Sequence, residues 1–215
     1  MLQKLRDPVS SLTHLAGAIL ALPYTAILIA LSVHQGSARH IVAFAIFGAS
    51  LFLLYAASGV YHALRSSRKV INILRRIDHM MIFILIAGTY TPVCLLPLRG
   101  PWGWTLFGLV WGVAATGILL KTFWMQAPRW LSTALYVFMG WLVLIAFFPL
   151  VRTVSTADLA LLVSGGLMYT AGAVMYAVKW PPLHWRYFGF HELFHVFVLA
   201  GSFFHAVFMF RLIPA

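Results

Sequence analysis

Apolar residues in this chain do not alternate with polar ones; they gather into seven long runs separated by short polar gaps. The runs cover residues 11–33, 41–64, 77–98, 102–120, 131–150, 157–178 and 188–210. Each is about twenty residues long, enough to cross roughly 30 Å of hydrocarbon as a helix. In lipid a backbone must satisfy its own hydrogen bonds, which leaves only helices and closed barrels. Barrel strands are shorter and alternate with a period of two, and these runs do neither. The pattern predicts an all-α protein, a seven-transmembrane helix bundle forming a single domain over residues 1–215. Pro23, Pro92 and Pro149 lie within or near the ends of runs and are expected to bend them.

Composition agrees and excludes the soluble classes. Of 215 residues 62% are hydrophobic and 9% charged, with a mean hydropathy of +0.93. A soluble surface needs about 25% charged residues, so most of this exterior faces lipid. The net charge of +11 would suit nucleic acid if it formed one patch. It is instead spread through the gaps, where it meets lipid headgroups, so membrane lipids and not nucleic acid are the expected partners. Trp102, Trp104, Trp130, Trp180 and Trp185 fall where interfacial aromatic belts are found. The one cysteine, Cys94, lies inside a run and has no disulfide partner. No cleaved leader is expected, because the first run lacks a small-residue cleavage site.

The basic residues also set orientation. Lys4, Arg6, Arg65, Arg68, Lys69, Arg75, Arg76, Lys121, Arg129, Lys179 and Arg186 precede the first run or follow the second, fourth and sixth. Only Arg39, Arg99, Arg152 and Arg211 fall on the other side. The positive-inside rule then places the N-terminus in the cytoplasm and the C-terminus outside, in a multi-pass protein of the cell membrane.

Few ionisable residues remain inside the runs, and each is costly in hydrocarbon unless it has a task. His62 closes the second run, Asp78 opens the third, and His191 and His195 open the seventh. All four belong at the expected cytoplasmic side. His191 and His195 are one helical turn apart on one face and can hold one metal ion, with His62 as a third ligand. Three imidazoles and an open fourth position suit a hydrolytic zinc site. Asp78 would order the water there or accept its proton, and Ser58, one turn before His62, points to the same region. The alternative is that these histidines only bridge helices by hydrogen bonds.

Ser58-x3-His62, Asp78 after a basic stretch and His191-x3-His195 together resemble the PAQR/hemolysin III family. That family includes the adiponectin receptors and falls in the wider CREST group with the alkaline ceramidases. The resemblance extends to Thr13-His14, to Gly88-Thr89-Tyr90-Thr91-Pro92, to Met139-Gly140-Trp141 and to His205. The short termini look like the bacterial hemolysin III branch. The resemblance implies zinc on His62, His191 and His195, water held by Asp78, and Ser58 as its neighbour. It further implies hydrolysis of a lipid amide or ester and a role in membrane-lipid homeostasis.

Residues 191–195 also satisfy H-E-x-x-H, the zinc-protease signature in which the glutamate is the base. The chain continues Val196-Phe197-Val198-Leu199-Ala200-Gly201 without a third histidine, and no later run supplies an acidic ligand, so Glu192 reads as incidental or as an aid to proton transfer. His14 could support the site or bond a neighbouring helix. His205 lies about 21 Å beyond His191 along a helix, too far to share its ion, and is expected to line the interior. His79 is expected at the interface, and His34, His40 and His184 in solvated loops. Two other functions compete with a hydrolase. One is a pore-forming cytolysin, which needs polar residues through the full depth; the other is a receptor in which zinc is structural.

Overall fold

The computed structural model describes residues 5–183 and 185–214, so Lys4 and His184 of the expectations above lie outside the described residues. The runs fold as helices: α1 Pro8–Gln35, α2 Ala38–Ala63, α3 Arg68–Leu95, α4 Pro101–Phe123, α5 Arg129–Gly140, a 3₁₀ segment Leu142–Ala146, α6 Phe147–Val151, α7 Thr156–Val178 and α8 Phe190–Arg211. Residues 129–151 make one interrupted span, so seven segments cross the bundle. Six of them are long and apolar enough to traverse a bilayer by composition alone, and the chain is a multi-pass membrane protein.

The seventh, α3, departs from expectation at its start. Its apolar run begins at residue 77, yet the helix begins at Arg68, where the Ser67 hydroxyl accepts from the Val70 amide at 3.4 Å. Arg68, Lys69, Arg75 and Arg76 therefore ride on the first turns of a helix, not in a loop, and Asp78 lies about three turns inside it. His40 departs too: it is in the first turn of α2, buried, with Nδ1 2.9 Å from the Ser37 hydroxyl. His34 is exposed as expected, but it lies in the last turn of α1 and not in a loop.

Consecutive helices pack as neighbours, and α1 against α8 closes the ring. The core between them holds Phe44, Phe47, Phe83, Val110, Met139 and Phe208, all fully buried. Facing outward are Ile19, Leu20, Phe123, Phe148 and Phe203, a dressing that only lipid tolerates. The five interfacial tryptophans are exposed as well. In lipid, helices gain from close backbone approach rather than from expelling water. At Gly59 that approach is tight, since a Cβ there would lie 2.7 Å from Leu15 of α1. This draws α1 against the last turns of α2, where His62 sits.

The interruption of the fifth span occurs at Gly140 and Trp141, well before Pro149. The Tyr90 hydroxyl of α3 takes up the freed backbone groups: it donates to the Gly140 carbonyl at 2.6 Å and accepts from the Val143 amide at 2.9 Å. Trp141 donates from its indole to Thr170 of α7 at 3.0 Å. A break in hydrocarbon is tolerable only with such replacements.

Candidate metal centre

Helix ends leave carbonyls without intrahelical partners. At the end of α2 the segment before α1 supplies them: the Asp7 amide donates to the His62 carbonyl at 2.9 Å and the Arg6 amide to Ala63 at 3.3 Å. The Arg6 guanidinium lies 4.1 Å from the centre of the Tyr61 ring. Asp7 thus holds His62 by its backbone and also by its ring, because His62 Nδ1 donates to the Asp7 carboxylate at 2.9 Å. Arg6 Nε shares that same oxygen at 2.9 Å. Led by the bond from His62, these contacts hold the Asp7 carboxyl down to about 2, from an ordinary 3.8, against the opposing effect of its partial burial. A carboxylate can only accept, so Nδ1 of His62 carries a proton, and Nε2 is the nitrogen of the ring left to serve as a ligand.

That nitrogen faces α8. His191 Nε2 lies 3.3 Å from His62 Nε2, and one ligand atom from each of His62, His191 and His195 lies within 4.8 Å of the other two. Two nitrogens bound at about 2.0–2.1 Å to a tetrahedral ion lie roughly 3.3–3.4 Å apart, so the His62–His191 pair already has that spacing. The three histidines are placed to hold a metal ion. His195 is buried and its Nδ1 has no hydrogen-bond partner among the described residues. His14 of α1 stacks on it, ring centres 3.7 Å apart and 15° from parallel, with Tyr55 against its edge at 5.1 Å. Both nitrogens of His14 are buried and have no hydrogen-bond partner among the described residues, so its contact with the site is by stacking.

Asp78 is buried and stands outside the ligand set. With Ser58, His191 and His195 it lines a cavity of about 380 Å³. On α3 the lining runs from Arg75 to Val93, which is roughly 27 Å of helix. Charged and imidazole groups crowd one end, and Leu85, Leu150, Leu162 and Val198 line the rest. His205 lines the far part, stacked on Tyr169 with ring centres 5.5 Å apart. His79 also lines the cavity, which an interfacial placement had not foreseen; its carbonyl accepts from the Tyr136 hydroxyl at 3.0 Å.

Both oxygens of Glu192, which H-E-x-x-H would make the base, are taken up by other bonds. One carboxylate oxygen accepts from the Gly189 amide at 2.8 Å, capping α8, and the other accepts from the Ser10 hydroxyl at 2.8 Å. It is a cap and a tie to α1. Asp7 is the functional residue that sequence reading missed. Its only signal was an acidic residue just before Pro8 at the start of the first helix, the side where the other acidic and histidine candidates gather.

The profile of the Haemolysin-III related family matches residues 2–206. A Hemolysin-3 homolog of Bacillus subtilis (strain 168) is 42% identical over 193 residues, covering 90% of this chain and 87% of its own. Hemolysin-3 of Bacillus cereus is 39% identical over 203 residues, 94% of this chain and 90% of that one. Heptahelical transmembrane protein 4 of Arabidopsis thaliana is 31% identical over 179 residues, covering 75% of this chain and 46% of the plant protein.

Proposed function

The chain belongs to the haemolysin-III-related family, and from that premise we propose that it is a zinc-dependent hydrolase that cleaves an amide or ester bond in a membrane lipid. One observation carries the reading. Three histidines stand at ligand spacing, and two of them, His191 and His195, open with the buried carboxylate of Asp78 onto a single cavity whose remaining length is largely apolar. Polar chemistry at one end and hydrocarbon along the rest is the shape of a lipid with its scissile bond near the headgroup. The three imidazole donors are of the type zinc prefers.

His62, His191 and His195 would hold the ion, and Asp7 fixes the tautomer and tilt of His62. Zinc, when bound, polarises a carbonyl and acidifies water. Asp78 accepts the proton that the attacking water releases and returns it to the leaving amine or alcohol, with Ser58 beside it to orient the water. The apolar walls exclude bulk water and align the acyl chain. By the charge asymmetry of the sequence, this end faces the cytoplasmic leaflet.

Two relatives carry the name hemolysin, which would point to a lytic pore. Confinement of the charged lining to one end of the cavity supports hydrolysis instead. Metal analysis of purified protein is the direct test of the centre. Wild type should hold stoichiometric zinc, and the His62→Ala, His191→Ala, His195→Ala triple variant none; equal zinc in both would sink it. Lipidomics of cells carrying wild type or Asp78→Ala tests turnover, because the substrate class should accumulate in the variant. An unchanged lipid profile would count against hydrolysis.

A further inference from the structure

Lysines near the ends of spanning helices ordinarily extend to the interface, with the stem in lipid and the ammonium in water. Lys121, in the last turn of α4, does the opposite. It is 2% exposed, its ammonium donates to the Ser132 hydroxyl of α5, and it lines the cavity. Among the described residues no carboxylate pairs with it, and a single hydroxyl leaves two of its three donors free.

Two more cations reach the same end of the cavity. Arg75 comes from α3 and Arg129 from the first turn of α5. The Arg129 guanidinium sits 4.7 Å from the centre of the Tyr176 ring and donates to the Tyr176 carbonyl at 3.4 Å, which holds it at the seam between α5 and α7. Against these three cations the lining offers one carboxylate, Asp78. Exposed Arg75 and Arg129 would be accounted for as headgroup anchors. Lys121 would not, because a buried ammonium without a counter-charge is costly. An anion entering the cavity would offset that cost.

We propose that this end of the cavity is an anionic-headgroup site, in which Lys121, flanked by Arg75 and Arg129, binds the phosphate of a lipid whose acyl chain fills the apolar length. The site lies in the cavity that His191 and His195 also line, so a lipid bound there presents its headgroup-proximal bond to that cluster. That last step rests on the hydrolase reading; the binding of the anion does not.

Native mass spectrometry of the purified protein, offered lysophosphatidic acid or lysophosphatidylcholine of equal chain length, tests the site. Wild type should bind the phosphomonoester about tenfold more tightly, as expected for hydrogen bonds to a charged group. Lys121→Gln, which can still reach Ser132, should lose the preference, and Lys121→Arg should keep most of it. Equal binding of the two lipids by wild type would overturn the proposal, as would an undiminished preference in Lys121→Gln. Displacement by inorganic phosphate at the same concentration as the lipid would overturn the lipid assignment in favour of a free-anion site. Chelator-stripped protein should keep the preference. A wild type that shows the preference but holds no zinc as purified and turns over no lipid would remove the hydrolase and leave this site, whereas zinc and turnover without a preference remove this site alone.

Discussion

Asp7 and His62, fifty-five positions apart, are joined twice: the Asp7 amide donates to the His62 carbonyl, and the His62 ring donates to the Asp7 carboxylate, both at 2.9 Å. The carboxylate fixes which ring nitrogen is protonated and aims the other at His191. Asp7→Asn keeps the size and the backbone bond but removes the obligatory acceptor. It should lower metal affinity about 10- to 100-fold, the usual effect of losing such a support, as read by competition with a graded chelator. Unaltered affinity would mean that the ring is held by packing alone.

The same pair makes a statement about pH. The folded Asp7 carboxyl is depressed from 3.8 to about 2, chiefly by the bond from His62. A depressed acid contributes its stabilisation fully above its unfolded value and loses it as pH falls through the folded one. The pair should therefore be intact above about pH 4 and weaken only toward pH 2. Infrared difference spectra of wild type against Asp7→Asn should show the carboxyl C=O band of the protonated acid growing in that interval. A band already present at pH 5 would contradict the pairing.

Removing one imidazole at a time separates ligands from their support. Loss of His191 or His195 should abolish stoichiometric metal, since two remaining nitrogens cannot complete the set. His14→Phe should instead keep metal, because His14 offers a ring to stack on and no bond. Metal-to-protein ratios after reloading distinguish the two outcomes.

Glu192→Gln separates a cap from a base. The amide oxygen can still accept from Gly189, so the stability change should stay within about 1 kcal/mol, the scale of a charge at a helix N-terminus. Metal content and any lipid turnover should hold within a few-fold. Abolished turnover in a stable, metal-loaded variant would restore Glu192 as the proton carrier.

Tyr90→Phe tests the interrupted span. It strips a donor from the Gly140 carbonyl and an acceptor from the Val143 amide at membrane depth. Unmet buried groups cost about 1–3 kcal/mol each, so thermal unfolding in detergent should shift down measurably while metal content persists. An unshifted transition would mean that water satisfies the break.

Much of this was legible in the chain, because lipid imposes a strong grammar. Run length alone gave seven spans, and the cost of charge in hydrocarbon singled out His62, Asp78, His191 and His195. What escaped has identifiable causes. The start of α3 was hidden because a helix can extend beyond the hydrocarbon, so hydropathy marks the bilayer edge and not the helix end. Asp7 was hidden because its partner is far along the chain and the polar segment around it resembles any headgroup-facing terminus. Lys121 looked like an anchor, since its counting toward orientation is blind to the direction in which a side chain points. The stretches Gly88–Pro92 and Met139–Trp141 were visible as motifs without a reason; the Tyr90 bonds to the broken span supply one.

The bond from Ser10 to Glu192 joins residues 182 positions apart, and the histidine cluster likewise needs both α2 and α8. During synthesis at roughly 5–20 residues per second, the first helix would wait on the order of 10–35 s for its last partner. Until α8 inserts, a nascent chain has one imidazole of the three and no closed cavity. The bundle therefore assembles its histidine cluster last, and a chain halted partway through translation lacks the set of three.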